Sequence, residues 1–171
     1  MRWIWIDKFL EFRSGSYARA VKNLTLAEEH LHDHYPGFPV MPASLIIEGM
    51  AQTGGILVGE AKNFEEKVVL AKIPKAEFTG FACAGDQLVY EVKILDLRAE
   101  GAVVECKAFL NGDPDPIANV EIVFAHLDNS RANQIFGAKN FVFTRQLLGV
   151  LDLAKAQQAS VEKAGEKSAG S

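Results

Sequence analysis

Two side chains in this sequence stand where neither is easily explained by packing. Glu48 is an acid and Gln52 an amide in a segment otherwise apolar nearly all round, and the two lie one helical turn apart on the same face. A carboxylate inside such a segment is costly unless it is paired or neutralised. One reading is therefore an acid tied to a backbone or arginine partner. The other is a general acid, because burial disfavours the charged form of a carboxyl group and Gln52 is placed to orient it. Upstream, His34 opens a loop punctuated by Pro36, Pro39 and Pro42. A lone histidine beside tyrosine and proline is commonly a satisfied loop residue, but a neutral imidazole is also a base suited to pH 7. Pro42 is placed as the first residue of a helix, where its missing N–H costs nothing. The first free amides of that helix then belong to Ala43 and Ser44, a ready site for developing negative charge.

The loop and helix together, H-Y-P-G-F-P-V-M-P-A-S-L-I-I-E-G-M-A-Q, resemble the active-site motif of the 3-hydroxyacyl-acyl-carrier-protein dehydratases, the FabZ/FabA-like branch of the hotdog fold. The match includes the spacing of 14 from His34 to Glu48 and the Gln52 that follows. It extends more weakly over residues 1–127, through I-D-K-F-L-E-F near the start and A-G-D-Q-L at 84–88, and fades beyond about 130. Two positions depart from the family pattern. Asp33 stands where glycine is usual before the histidine, and Ala43 replaces the glycine after the third proline, keeping the amide but adding a methyl group.

The resemblance implies removal of water from a 3-hydroxyacyl thioester, with His34 as base for the α-proton and Glu48 as acid for the departing hydroxyl. The amides of Ala43 and Ser44, with Gln52, would serve the thioester and the acid. It further implies a homodimer or higher homo-oligomer whose sites lie at the subunit interface, histidine of one chain facing acid of the other. The substrate would ride on acyl carrier protein or coenzyme A, with no cofactor and no metal. Two other functions fit the same fold: a thioesterase, and a non-catalytic acyl-chain or carrier-binding protein in which Asp33 and Ala43 spoil the chemistry.

A metal site is a separate reading of the same region. Glu28, Glu29, His30, His32, Asp33 and His34 place three histidines within five residues, a density that can bind zinc. H-L-H-D-H is one residue short of the H-x-H-x-D-H of metallo-β-lactamase-like hydrolases, and only His126 follows downstream. Lys62, Lys72 and Lys75 are candidates for a basic patch facing an acidic carrier, against the ordinary reading of lysines as solubilising.

The elements that must position these residues follow from periodicity. Residues 3–12 and 17–26 read as strands of an amino-terminal hairpin about Ser14-Gly15-Ser16. A short helical turn and an extended loop lead into a buried helix from about 42 to 61. Gly54 and Gly55 within it cost roughly 1 kcal/mol each relative to alanine, which points to close approach by sheet backbone or ligand. After a weaker strand at 67–79, segments 86–97, 102–110 and 117–126 alternate apolar and polar residues, the pattern of an antiparallel meander. A curved antiparallel sheet wrapped around one long central helix is an α+β layout, in agreement with the hotdog fold the resemblance implies. The expected division is a dehydratase-like domain at 1–130 and an extension at 131–171, with a helix at about 144–160 and then a mobile tail. Leu147, Leu148, Leu151 and Ala154 share one face of that helix, so its first turns are expected to dock, on the convex face of the sheet or on a neighbouring subunit.

At 171 residues the chain can bury a sizeable core. Its formal charge of −4 argues against general nucleic-acid binding. Cys83 and Cys106 make no disulfide framework, and reduced thiols in a cytoplasmic protein are the simplest reading. Met1–Leu10 carries Asp7 and Lys8 in place of a long apolar run, so no signal peptide is expected. Residues 41–59 approach transmembrane length, but Glu48, Gln52 and four glycines favour a buried helix over a membrane span.

Overall fold

The computed structural model describes residues 3–127 and 145–169, the side chains of the second stretch over 147–160. The expected domain boundary at 130/131 lies outside these residues. Strands β1 (Lys8–Arg13) and β2 (Tyr17–Asn23) form the amino-terminal hairpin, followed by the short helix α1 (Glu29–Asp33) and the central helix α2 (Ala43–Glu60). Then come β3 (Lys67–Phe78), β4 (Gln87–Leu97), β5 (Gly101–Leu110), β6 (Ala118–Leu127) and the helix α3 (Arg145–Ala169). The six strands make one antiparallel sheet in the order β1-β2-β4-β5-β6-β3. Chain order places α2 between β2 and β3, while β3 sits at the far edge from β1, so the chain crosses the whole concave face.

The meander alternates as its sequence requires. Leu88, Tyr90 and Val92 of β4, Val104, Cys106 and Ala108 of β5, and Ala118, Val120, Ile122 and Phe124 of β6 all point inward and are buried. Cys106 is one of these packing residues, its thiol pushed well up by burial. On α2, every residue from Gln52 to Gly59 is buried. Ile56, Leu57 and Val58 are fully so, at about 1.5–3 kcal/mol each for the apolar surface removed from water. The glycines of α2 let the sheet come close. A Cβ on Gly49 would meet the Tyr90 ring at 2.5 Å, and one on Gly54 would lie 3.1 Å from Phe124. No helix among the described residues is long and apolar enough to cross a membrane.

Most boundaries fall within a residue of the sequence reading, and four of the differences have a visible form in the structure. The first strand starts only at Lys8, because residues 3–5 bond to α2 instead of a neighbouring strand: the Trp5 N–H donates to Gln52 Oε1 at 2.8 Å. The second stops at Asn23 rather than 26, because the Thr25 N–H turns to the Glu28 carboxylate and the Glu28 N–H to the Thr25 carbonyl. Pro42 is the N-cap of α2 rather than its first residue, with ψ at 137°. Helix α3 continues to Ala169, past the expected end near 160.

Helix α3 docks on neither surface anticipated for it. Its buried face, Leu147, Leu151 and Ala154, joins the same core as α2 and the concave side of the sheet. Ala154 faces β1 across a groove that includes Phe9 and Phe12, and Leu147 lines a small cavity with Gln52, Gly55, Val68, Leu70 and Phe124. The helix thus closes the gap the curled sheet leaves along α2. Lys155 pins it: its ammonium donates to Glu60 Oε1 at 2.7 Å and lies 5.8 Å from the centre of the Phe12 ring. Ser14 donates to Glu60 Oε2 at 2.6 Å. Burial alone would raise the Glu60 carboxyl, but the Lys155 and Ser14 hydrogen bonds and the Lys155 charge together hold it below its ordinary value near 4.5.

Two outcomes follow. Gly49→Ala gains helix propensity but forces a methyl group into a fully buried tyrosine ring, so it should destabilise by about 1–3 kcal/mol. An unchanged urea midpoint would contradict that packing. Because the folded Glu60 binds its proton less readily than the unfolded one, its contribution is present above the ordinary carboxylate range and lost as pH falls through the folded value. Glu60→Gln should therefore lower stability at pH 7 by up to about 1 kcal/mol, given the half-exposed lysine, and match wild type in denaturant titrations near pH 3.

Candidate active site

The histidine loop is held by turn chemistry that is legible in its own residues. Tyr35-Pro36-Gly37-Phe38 is a turn with proline second and glycine third, and Gly37 takes the positive φ of 80° that this turn demands. The Tyr35 and Phe38 backbones exchange hydrogen bonds of 3.0 Å across it. The Val40 N–H donates to the His34 carbonyl at 2.9 Å, and Met41 is tied to Ala82 on the loop before β4. The His34–Tyr35 peptide is cis, and the two rings stack with centroids 4.0 Å apart. His34 Nδ1 lies 3.1 Å from the Val40 carbonyl oxygen. A carbonyl only accepts, so Nδ1 carries the proton and Nε2 of the neutral ring is left as the basic nitrogen. Beside the ring opens a cavity of about 280 Å³ whose lining includes Met41, Ala43, Ile46, Phe78 and Phe81. It is mostly apolar and of a size suited to part of an acyl chain.

The amino end of α2 meets this cavity through Ala43. Leu45 and Ile46 are the first residues whose N–H groups bond back, both to the Pro42 carbonyl. The amides of Ala43 and Ser44 precede that ladder, as the sequence indicates, and both residues are exposed. They are donors at the positive end of an 18-residue helix. The departures from the family pattern are accommodated here. Asp33 is exposed at the end of α1, and Ala43 turns no methyl group into the core.

Glu48 is half-buried, at the point where α2 passes from its open to its covered half. Its Oε1 accepts from the Gln52 side-chain amide at 3.0 Å and from the Trp3 indole N–H at 2.9 Å. Gln52, itself 7% exposed, also donates to the Trp3 carbonyl at 3.1 Å. The arginine partner anticipated as an alternative is not what holds the acid; an amide and an indole do. Glu48 and Gln52 line a different cavity from His34, one of about 130 Å³ toward Val68 and Phe124. Within one chain the histidine and the acid therefore face separate spaces.

The three clustered histidines are separated by their contacts. His30 packs edge-on against Trp5 with Nδ1 3.8 Å from Glu28, His32 bonds the Leu26 carbonyl, and His34 the Val40 carbonyl. Burial pulls the His30 pKa below its ordinary value despite Glu28. Among the described residues no three metal-ligating side chains converge. Of the lysines, Lys75 is paired with Glu77 at 2.8 Å, whereas Lys72 is exposed on the same edge strand.

Sequence reasoning missed Trp3 and Trp5, whose contacts with α2 span 45 and 47 residues. It also missed Phe38, Phe78 and Phe81 around the histidine. The signal available for the tryptophans was an indole donor in an apolar stretch, which names no partner.

A sheet curled around one glycine-bearing helix, with a histidine loop before the helix and an acid on it, defines a hotdog-fold protein with the two groups needed for acid–base chemistry. The chain belongs to the FabA-like family, whose domain model matches residues 4–120. It is similar to the 3-hydroxyacyl-[acyl-carrier-protein] dehydratase FabZ of Lawsonia intracellularis, 40% identical over 110 residues that make up 62% of this chain and 72% of the relative. The FabZ of Listeria monocytogenes is 35% identical over 124 residues, 72% of this chain and 85% of that one. Among solved structures, the dehydratase heterocomplex ApeI:P of Xenorhabdus doucetiae superposes with a TM-score of 0.62 at 13% identity, over 78% of this chain and 89% of its own. The E. coli PaaI protein superposes at 0.56 and 11% identity, over 71% and 79%. At such identities these structures speak to the fold alone.

Proposed function

We propose that this protein dehydrates a 3-hydroxyacyl thioester, carried on acyl carrier protein, to the trans-2-enoyl thioester in fatty-acid or related synthesis. The observation that carries the reading is the His34 ring, its Nδ1 committed to the Val40 carbonyl and its Nε2 left as base, in a chain whose family relatives are named for this reaction. His34 Nε2 takes the α-proton, and that C–H electron pair becomes the second bond between Cα and Cβ. The Cβ–O bond breaks as Glu48 gives its proton to the leaving hydroxyl, which departs as water. Imidazolium and carboxylate remain, and a proton passed back from His34 to Glu48 resets the site. The amides of Ala43 and Ser44 would hold the charge that develops on the thioester oxygen. No cofactor or metal takes part in these steps.

One chain keeps His34 and Glu48 in separate cavities, so the reading requires a second copy that brings its acid to this histidine. An open surface exists for it. Leu45 and Ile47 on the first half of α2 are only half-buried, and β3 is exposed from Leu70 to Glu77. A homodimer, or a higher oligomer built from it, would cover both. In this reading residues 1–130 form the catalytic unit, 131–171 an extension to it, and the protein works in the cytoplasm. A non-catalytic binding role is disfavoured by the exposed placement of Asp33 and by the free amide that Ala43 keeps where it borders the cavity beside His34, and a thioesterase by the histidine loop.

Enoyl formation followed by absorbance, against 3-hydroxyacyl thioesters of graded length on carrier protein and on coenzyme A, is the direct test. Binding without turnover would overturn the reading, and hydrolysis of the thioester would replace it. His34→Ala and Glu48→Gln should each lower turnover by about 10²–10⁴-fold, and the double change little more than either. Sedimentation at micromolar concentration should show no stable, active monomer. Coexpressed His34→Ala and Glu48→Gln chains should recover roughly a quarter of wild-type activity, because half the dimers are mixed and each mixed dimer holds one intact site. No recovery would place both groups on one chain.

A further inference from the structure

Glu48 and Gln52 are neighbours by helix geometry, but the helix does not decide which way either group points. Residues 3–5 do. The Trp5 N–H donates to Gln52 Oε1 at 2.8 Å, in a buried bond. With its oxygen so occupied, the Gln52 amide must turn its NH₂ outward, and it does, to the Trp3 carbonyl and to Glu48 Oε1. The Trp3 indole adds a second donor to the same carboxyl oxygen. An indole N–H and an amide NH₂ donate and cannot accept. Oε1 is thereby an acceptor in every protonation state of the acid, and the proton of the neutral form resides on Oε2, which has no hydrogen-bond partner among the described residues.

The support behind this arrangement is rigid. Trp5 is 3% exposed, stacks edge-on with Trp3 at 5.5 Å and with His30 at 5.1 Å, and leads into the buried Ile6. Trp3 itself is 60% exposed, so its indole is not needed to complete the core.

We propose that Trp3 is a positioning residue for Glu48: together with Gln52 its indole N–H occupies Oε1 and reserves Oε2 for the proton given to the leaving hydroxyl. The proposal rests on the reading of Glu48 as the acid. It extends the site to the extended segment before β1, which no motif marks.

Trp3→Phe tests it in the full-length protein, since phenylalanine keeps an aromatic ring and the edge contact while deleting the donor. The expected result is a kcat lower by roughly ten- to hundredfold, the loss of one hydrogen bond to the carboxylate that forms as the proton leaves, with KM and the urea midpoint unchanged. A purely structural role would move the midpoint or KM instead. A second readout does not use activity. The chain has two tryptophans, hence two indole N–H resonances, and Trp3→Phe assigns them. The Trp3 resonance should shift strongly in Glu48→Ala, while that of Trp5, whose Nε1 is buried with no partner, moves far less. An indifferent Trp3 resonance overturns the contact, and an unchanged kcat in Trp3→Phe overturns the positioning role. If wild type turns over no 3-hydroxyacyl thioester, the dehydratase reading fails, and the catalytic part of this proposal with it, while the resonance still decides whether Trp3 holds Glu48.

Discussion

The structure depends on one constraint: an almost wholly apolar helix that a single curled sheet cannot cover along its whole length. The carboxyl half of α2 is enclosed on every side, by the sheet through Tyr90 and Phe124 and by α3 through Leu147 and Leu151. The amino half is not, and Ala43 and Ser44 stand open to solvent. Glu48 and Gln52 fall at the transition. An acid one or two turns further along would be sealed among Ile56, Leu57 and Val58, where a charge has no solvation. One turn earlier it would lie in water, as Ser44 does. Its half-buried state therefore derives from its place along the helix as much as from its type.

The parts of this design that are local in sequence were legible there. The meander follows from alternation in residues 86–126, and α2 from a proline-led apolar run, both placed within a residue or two. The turn in the histidine loop follows from Pro36-Gly37. The glycines inside α2 pointed to close approach by the sheet; Gly54 against Phe124 shows it, and Gly49 against Tyr90, which the sequence reading did not single out, shows it more closely still. His34, Glu48 and Gln52 were singled out together because the resemblance supplied a spacing that periodicity alone does not interpret; within one chain Glu48 and Gln52 bond to each other, while His34 borders another cavity.

What was not legible is long-range and polar. Residues 3–5 look like strand by composition, and only the folded chain reveals that the hydrogen bonds of Trp3 and Trp5 go to side chains on α2. A leucine face at 147–154 announces burial without naming a partner, so the docking of α3 over the open side of α2 could not be chosen from the sequence. The three histidines at 30, 32 and 34 read as one cluster in the chain. In the structure α1 ends between the second and the third and sends each ring to a different partner. Spacing suggested convergence, and the backbone turn decided otherwise.

The extension beyond the family domain changes how the remaining open surface is distributed. With Lys155 bonded to Glu60 and Leu147 bordering a small cavity shared with Glu48, Gln52, Val68 and Leu70, α3 flanks α2 from its carboxyl end to the acid. Of the large apolar side chains more than half exposed, Tyr35, Phe38 and Phe81 cluster at the histidine loop and Trp3 lies against Glu48, while Leu26, Leu95 and Leu153 lie elsewhere. Edge strand β3 is the other unpaired boundary, and it carries Lys72, Pro74 and Lys75, residues that discourage indiscriminate strand pairing. In the proposed dimer a second copy would cover this open end of α2 together with the exposed stretch of β3. Because that end also holds the free amides of Ala43 and Ser44 and the ring of His34, the surface such a copy would bury and the surface a thioester would reach adjoin in that reading. In that reading, assembly and substrate access would be coupled by the incomplete coverage of one helix.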